Sequence, residues 1–127
     1  MRDMLVFDAL IYNEDRHFGN FGLLRDNHTG EIIAPAPIFD NGISLFNLAM
    51  PSDYADLDKY AQTRFPAYGN TTFEGICKSF ITSRQIEKLR KMANFTFTRH
   101  PKLNLPHLTA VEKHLRRRAS QLIGLSK

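Results

Sequence analysis

Asp15, Asn20 and Asp40 are the residues whose types and spacing could do chemistry. The acid and the amide stand five positions apart in the polar run 13–20, and Asp40 lies in a later irregular segment. Phosphoryl transfer needs chiefly a carboxylate that orients the attacking hydroxyl and oxygen ligands for the magnesium that bridges the phosphates. A carboxylate and an amide carbonyl from neighbouring loops would suit Mg²⁺ and leave positions for phosphate and water. The three residues are of the types that such a site requires.

A buried helix should lead into the first polar run. Residues 4–12 are nearly all apolar, which predicts a buried helix that ends at Asn13, although periodicity alone leaves a strand open. No cap or loop precedes this element. We therefore expect that the preceding part of a larger domain has been removed or resides on another chain.

A β-hairpin should join the two polar clusters. The short apolar runs 21–25 and 31–35 flank a turn rich in Asn, Asp and Gly, with Gly30 available for positive φ. Pro35 and Pro37 lack backbone donors, so the returning strand should end there. Both polar clusters would then lie at the open end of one hairpin.

The second half of the chain has helical patterns. Residues 51–72 are predicted to be mostly loop with one short helix over 54–62, and 72–80 should form another helix. Thr82-Ser-Arg-Gln and Thr109-Ala-Val-Glu both have the pattern of a capping box that opens a helix. The first of these helices should include Ile86, Leu89 and Met92, and the second should present one apolar face made by Leu108, Val111, Leu115, Ala119 and Leu122.

The segment Asn13-Glu-Asp-Arg-His-Phe-Gly-Asn20 resembles the catalytic loop of the HipA-like toxin kinases and their phosphatidylinositol-kinase-like relatives, and Ile33 to Asp40 resembles the segment that leads into their metal-binding Asp. The Asp-to-Asn spacing also matches protein kinases generally. The resemblance implies that Asp15 is the catalytic acid or base. It also implies that Asn20 and Asp40 bind the Mg²⁺ that engages ATP.

Three further residues of the loop are assigned as supporting residues, namely Asn13, Arg16 and His17. The unperturbed pKa of His17 would suit a base, but the resemblance implies that this side chain supports the loop by hydrogen bonding. Arg16 could pair with a phosphate or with an acidic side chain of the fold, and the sequence leaves both open.

Ordinary loop roles are the alternative for the same residues. Asp15 could cap a turn, Asn20 could occupy a left-handed backbone position, and 40–42 could be a plain turn. Asp40-Asn-Gly also differs from the Asp-Phe-Gly of protein kinases and is similar to the Asp-Asn-Gly of some lipid-kinase-like folds. A lipid-kinase-like enzyme is therefore a further alternative.

A kinase also needs a glycine-rich or equivalent loop over the phosphates and a lysine on a strand. Neither pattern occurs, and the first lysine is Lys59. The resemblance thus implies a single domain over 1–127 with a mainly α-helical α+β fold, the C-terminal lobe of a protein-kinase-like fold whose nucleotide-binding lobe is absent.

The parent activity would be ATP- and Mg²⁺-dependent transfer of a phosphoryl group to a protein Ser or Thr hydroxyl, and the isolated chain should be inactive. Implied partners are an upstream nucleotide-lobe chain or segment, a protein substrate and an antitoxin.

Composition limits the remaining classes. With 127 residues, 43% of them apolar, the chain can close one core, and no apolar stretch approaches the ~20 residues that a membrane span needs. The N-terminus lacks a signal-peptide pattern, so we expect a cytoplasmic protein. Cys77 has no partner cysteine and should be buried.

Basic residues raise a second functional hypothesis. The net charge is +4, and much of it falls on the predicted helices of the last third, at Arg84, Lys88, Arg90, Lys91, Lys113, Arg116, Arg117 and Arg118. A solvated helix face explains this pattern, and a surface of a non-catalytic domain that binds protein or nucleic acid is the alternative. The histidines His28, His100, His107 and His114 have no ligand-type partners at metal-binding spacing and should lie at the surface or in loops.

Overall fold

The computed structural model describes residues 1–68 and 70–126. Within these residues, five α-helices and two strands follow one another as α1 Arg2–Ile11, β1 Leu23–Arg25, β2 Ile32–Pro35, α2 Leu57–Ala61, α3 Phe73–Phe80, α4 Ser83–Arg90 and α5 Leu105–Gly124. Short 3-10 turns occupy Phe18–Asn20, Pro51–Ala55 and Lys91–Asn94. The fold is a mainly α-helical α+β lobe with one small antiparallel sheet, as the sequence predicts.

Helix α1 is a central element of the core. Its apolar side chains are buried over most of its length, and it packs against α3 and α5. The last helical residue is Ile11, and Tyr12 caps the helix in the left-handed backbone conformation (φ 52°), while the Asn13 amide donates to the Asp8 carbonyl at 3.0 Å. The predicted helix is confirmed, but it ends two residues before Asn13, and the polar loop follows directly.

The hairpin forms as predicted. Leu23 pairs with Pro35, Gly30 has a φ of 75° in the turn, and the Ala36 amide donates to the Gly22 carbonyl at the open end. Successive strand residues point to opposite faces of a sheet. The four large apolar side chains of this hairpin are nevertheless exposed on both faces, at 60% for Leu23, 46% for Leu24, 60% for Ile32 and 65% for Ile33.

Helix α5 begins earlier than the second capping-box pattern predicts. Its first residue is Leu105, and the Asn104 side chain caps it by accepting from the His107 amide at 3.1 Å. Glu112, the last residue of the pattern, is buried inside the helix, where it accepts hydrogen bonds from the Phe97 amide at 2.6 Å and from Arg99 at 2.9 Å. The capping box predicted at Thr109 is wrong, because Glu112 accepts hydrogen bonds from the segment that precedes the helix and not from the helix N-terminus.

The other helical predictions hold with small shifts. Helix α3 is capped by the Thr72 side chain, and α4 opens with the predicted capping box of Thr82 and Gln85. Met92 lies in the 3-10 turn that follows α4, not in the helix itself. The predicted helix around 54–62 is divided into the turn Pro51–Ala55 and the short α2.

Two polar residues of α5 that were expected at the surface are buried. His114 and Arg118 are each only 2% exposed, since they share the inward face of the helix with Val111 and Leu115. The His114 ring packs against Tyr12 and Phe46, with centroid distances of 5.5 and 4.9 Å. Local apolar periodicity could not reveal them, because both are polar by type.

Cys77 is fully buried, as predicted, and burial raises the pKa of its thiol to about 11. None of the described helices combines the length and the apolar character needed to cross a membrane.

Candidate functional site

Arg16 lies at the centre of the candidate site and is completely buried. Its Nε donates to Asp8 Oδ2 at 3.0 Å and its Nη2 donates to Asp8 Oδ1 at 3.0 Å, which is the bidentate arrangement of a strong charge-assisted pair. Asp8 is 1% exposed and projects from α1. Of the two partners that the sequence left open for Arg16, the structure contains the acidic side chain of the fold.

The same guanidinium joins the two polar loops, the first over residues 13–20 and the second over residues 36–42. Arg16 Nη1 donates to the Asn20 carbonyl at 2.7 Å and to the Phe39 carbonyl at 2.6 Å. Asn20 closes the first loop, and Phe39 immediately precedes Asp40 in the second. Because one nitrogen atom serves both carbonyls, the backbones of the two loops are fixed close to each other.

Asn41 completes the connection from the second loop. Its Oδ1 accepts from Arg16 Nη2 at 2.5 Å and from Asn13 Nδ2 at 3.4 Å. Asn13 is itself fully buried, donates to Asp8 at 3.2 Å, and accepts from the Asp15 amide at 3.1 Å. The residue next to Asp40 is thereby connected, through one side chain, to the backbone of Asp15.

Asn20 has its amide nitrogen occupied and its amide oxygen free. Its Nδ2 donates to the Asp15 carbonyl at 2.8 Å, whereas within the described part of the chain Oδ1 accepts no hydrogen bond. Asn20 is 5% exposed and is not among the residues with positive φ, so it does not serve as a left-handed turn residue. The partly exposed Asp15 carboxylate likewise accepts no hydrogen bond from the described residues, which leaves it available to a hydroxyl group.

Asp40 is held in a left-handed backbone conformation with a φ of 53°. Such a conformation is uncommon for residues other than glycine, and in folded proteins it persists where neighbouring contacts hold it. Here the contacts are those of the flanking Phe39 carbonyl and Asn41 side chain with Arg16. The Asp40 side chain is exposed, and no described residue donates a hydrogen bond to it. The backbone is therefore anchored while the carboxylate remains free.

His17 shapes the loop. The exposed ring accepts a hydrogen bond from the Gly19 amide through Nδ1 at 3.0 Å and caps the 3-10 turn Phe18–Asn20. A Cβ at Gly19 would lie 2.9 Å from His17 Cε1, so a side chain there would displace the ring. This arrangement gives His17 a structural use within the loop.

The donor set suits Mg²⁺. Asn20 offers an amide oxygen and Asp40 a carboxylate, both hard oxygen ligands without competing hydrogen bonds from the described residues. Within 1–68 and 70–126 no group of three or more His, Cys, Asp or Glu side chains could hold a metal ion.

Two residues of this network escape sequence reasoning. Asp8 stands alone in the apolar helix 4–12, and a single carboxylate in a buried helix is a signal of a buried partner. The sequence indicates Asn41 only as part of a turn or of the Asp-Asn-Gly segment. Its pairing with Arg16 across the hairpin has no local pattern that could predict it.

The fold that positions these loops is kinase-like and mainly α-helical, with one small antiparallel sheet in the described residues. The crystal structure of the proinflammatory kinase CtkA from Helicobacter pylori superposes on it with a TM-score of 0.63 at 22% sequence identity. The match covers 98% of this chain and 52% of that chain, so this chain spans about half the length of CtkA. No protein-family model and no curated protein sequence matches the chain.

Proposed function

We propose that this chain is the catalytic-loop half of a HipA-like, ATP- and Mg²⁺-dependent phosphotransferase. The observation that carries the proposal is the double contact of Arg16 Nη1 with the Asn20 and Phe39 carbonyls. It holds the backbones of the two loops that carry Asp15, Asn20 and Asp40 next to each other, and no described residue donates a hydrogen bond to the Asp15 carboxylate, the Asn20 amide oxygen or the Asp40 carboxylate. These are the groups that phosphoryl transfer requires from a protein.

Each residue has a separate task in this proposal. Asp15 accepts a hydrogen bond from the substrate hydroxyl, orients it and takes up its proton. Asn20 and Asp40 provide oxygen ligands for Mg²⁺, which when bound would neutralise charge on the phosphates. Asn13, Arg16 and His17 maintain the loop. The acceptor in the parent activity is a Ser or Thr hydroxyl of a protein.

A second segment must supply the nucleotide-binding groups. This chain matches only 52% of the length of CtkA. The hairpin beside the site exposes large apolar side chains on both faces, and the side chain of Phe18 in the first loop is 90% exposed. Exposed apolar patches next to a site are typical of surfaces that another structural element covers. We infer that a nucleotide-binding segment or chain packs there and that this half is inactive without it.

The two alternatives rest on the Asp-Asn-Gly segment and on the basic helices. Asn41 accepts hydrogen bonds from Arg16 and Asn13, so Asp-Asn-Gly has a structural use and does not by itself favour a lipid substrate. Of the basic side chains on the helices, Arg118 is buried and cannot contact a nucleic acid. Arg84, Lys88 and Arg117 are paired with Asp3 or Asp58 but remain about half exposed or more. Salt-dependent binding of DNA or RNA is therefore the measurement that separates this alternative from the kinase proposal.

The experiment supplies the chain with a nucleotide-binding segment of the proposed kind, fused in cis or added as a second chain, and measures transfer of labelled phosphate from ATP with Mg²⁺. Asp15→Asn and Asp40→Asn should each lower the rate by at least about a hundredfold, the scale expected for loss of a general base or a metal ligand. Glu87→Gln is the matched control, because Glu87 is exposed on α4 and belongs to no contact of the site. Transfer retained in both aspartate variants would contradict the proposal.

A further inference from the structure

The Arg16 side chain has no hydrogen-bond donor to spare. A guanidinium carries five N–H donors. In this structure Arg16 makes five hydrogen bonds, two to Asp8, one each to the Asn20 and Phe39 carbonyls, and one to Asn41. Because every donor is used inside the protein, the geometry of Arg16 is set by three separate chain segments, namely α1, the first loop and the second loop.

The acceptors of Arg16 include one candidate metal ligand, Asn20, and both chain neighbours of the other, Asp40. The Asn20 carbonyl belongs to the first ligand itself, and Phe39 and Asn41 flank Asp40 on either side. Asn41 Oδ1 is shared with Asn13, whose own Oδ1 receives the Asp15 amide. The two polar motifs of the sequence are therefore halves of one hydrogen-bond network, and Asp8 is the buried anion that balances its central charge.

We propose that Asp8 and Asn41 are positioning residues that act through Arg16 to set the spacing between Asn20 and Asp40, so that the two loops bind one metal ion together. The proposal rests on the proposed function for the identity of the metal ligands. The network itself does not depend on that function. Residues that orient metal ligands from behind commonly change metal affinity 10- to 100-fold when they are replaced.

The test compares Asn41→Leu, which removes the shared acceptor, with Asn41→Asp, which keeps an acceptor oxygen next to Arg16. Asn94→Leu is the matched control, since Asn94 is exposed, lies outside the network and undergoes the same change of side chain. Asp8→Asn keeps the shape of the anchor and removes its charge. If Asn41→Leu does not fold, as judged by its amide spectrum, Asn41→Ala replaces it.

The first readout uses no metal. Hydrogen exchange of the Asp15 amide should accelerate about tenfold or more in Asn41→Leu and in Asp8→Asn, the scale of losing a hydrogen bond to a charged group. The Arg16 Nε–H signal should move in the same variants. Asn41→Asp should restore both towards the wild type, and Asn94→Leu should leave both unchanged. A purely local role of Asn41 in its own turn would not change the Asp15 amide.

The second readout titrates the isolated chain with Mn²⁺ and follows paramagnetic broadening of amide signals. In the wild type, signals of 15–20 and of 40–42 should broaden together. In Asn41→Leu the apparent affinity should fall roughly 10- to 100-fold. Unchanged Asp15 exchange and unchanged Mn²⁺ affinity in folded Asn41→Leu and Asp8→Asn would overturn the positioning proposal. If Mn²⁺ broadens neither segment in the wild type, the positioning proposal is overturned, while transfer of phosphate by the joined chain tests the proposed function separately.

Discussion

The guanidinium of Arg118 lies over the ring of Tyr12, 4.3 Å from its centroid. The same side chain donates from Nε to the Ala9 carbonyl at 3.1 Å and forms an ion pair with Glu74. Tyr12 is the last residue before the polar loop, so Arg118 connects the C-terminal helix to the end of α1 from which the site begins.

Replacement of Arg118 should therefore be costly. Arg118→Met would remove the partner of the Ala9 carbonyl and of Glu74, and we expect a loss of about 2 to 3 kcal/mol in the free energy of unfolding. The half-exposed Glu74 carboxylate can regain water, which keeps the loss below that of a fully buried pair. Urea denaturation measures it. Arg117→Met is the control, because that side chain is half exposed and its pair with Asp58 should contribute less than about 1 kcal/mol. Equal losses in the two variants would contradict this account.

His114 should make stability dependent on pH near neutrality. Burial lowers the pKa of His114 below its ordinary value; Asp58 raises it in part, and Arg118 and Arg117 lower it further. The unfolded chain therefore binds more protons just below pH ~6.5, so stability should fall as pH drops from about 7 towards the folded-state pKa.

The slope of unfolding free energy between about pH 7 and 5 measures this effect. His114→Gln should flatten the slope, whereas His28→Gln, on the exposed hairpin turn, should leave it as in the wild type. The same slope in wild type and His114→Gln would refute the assignment.

Cys77 should be inert in the folded protein. It is fully buried and the pKa of its thiol is raised to about 11, so little thiolate exists at pH 8 and reagents cannot reach it. A thiol-reactive chromophore should label the native chain only at the rate of unfolding, and at once in denaturant. Rapid stoichiometric labelling without denaturant would show that α3 does not bury this residue.

The start of α5 can be tested by two cap substitutions. Asn104→Ala should cost about 1 kcal/mol, because the side chain accepts from the His107 amide at the true N-terminus. Thr109→Ala should change stability by less than about 0.5 kcal/mol, since Thr109 is exposed inside the helix. Thermal unfolding of both variants measures these changes in stability. A larger loss for Thr109→Ala than for Asn104→Ala would indicate that the helix begins at Thr109.

The features that the sequence predicted correctly depend on local patterns. The apolar run of α1, the Asn, Asp and Gly of the hairpin turn, and the Thr82 capping box each act within a few residues, so their structures follow from neighbouring side chains. Asp15, Asn20 and Asp40 could be recognised because two motifs occur in order, and the roles assigned to them remain predictions.

The features that were missed depend on contacts between distant segments. Asp8 with Arg16, Arg16 with Asn41, and Arg118 with Glu74 are pairs whose members belong to different elements. His114 is buried because Tyr12 and Phe46 enclose it, although its own type favours the surface. Burial of a polar side chain is decided by the groups it meets, and periodicity within one helix does not contain that information.

The hairpin beside the site has a consequence for the purified chain. Its sheet contains two strands, so each strand has one edge whose backbone groups are unpaired within the described residues, and both faces carry exposed Leu or Ile side chains. Natural proteins usually protect such edges with charge, proline or a covering element, because an open edge is a template for intermolecular strand pairing. Without a covering segment, the first partner available to this ribbon is another copy of itself, and self-association of the chain should increase as its concentration rises.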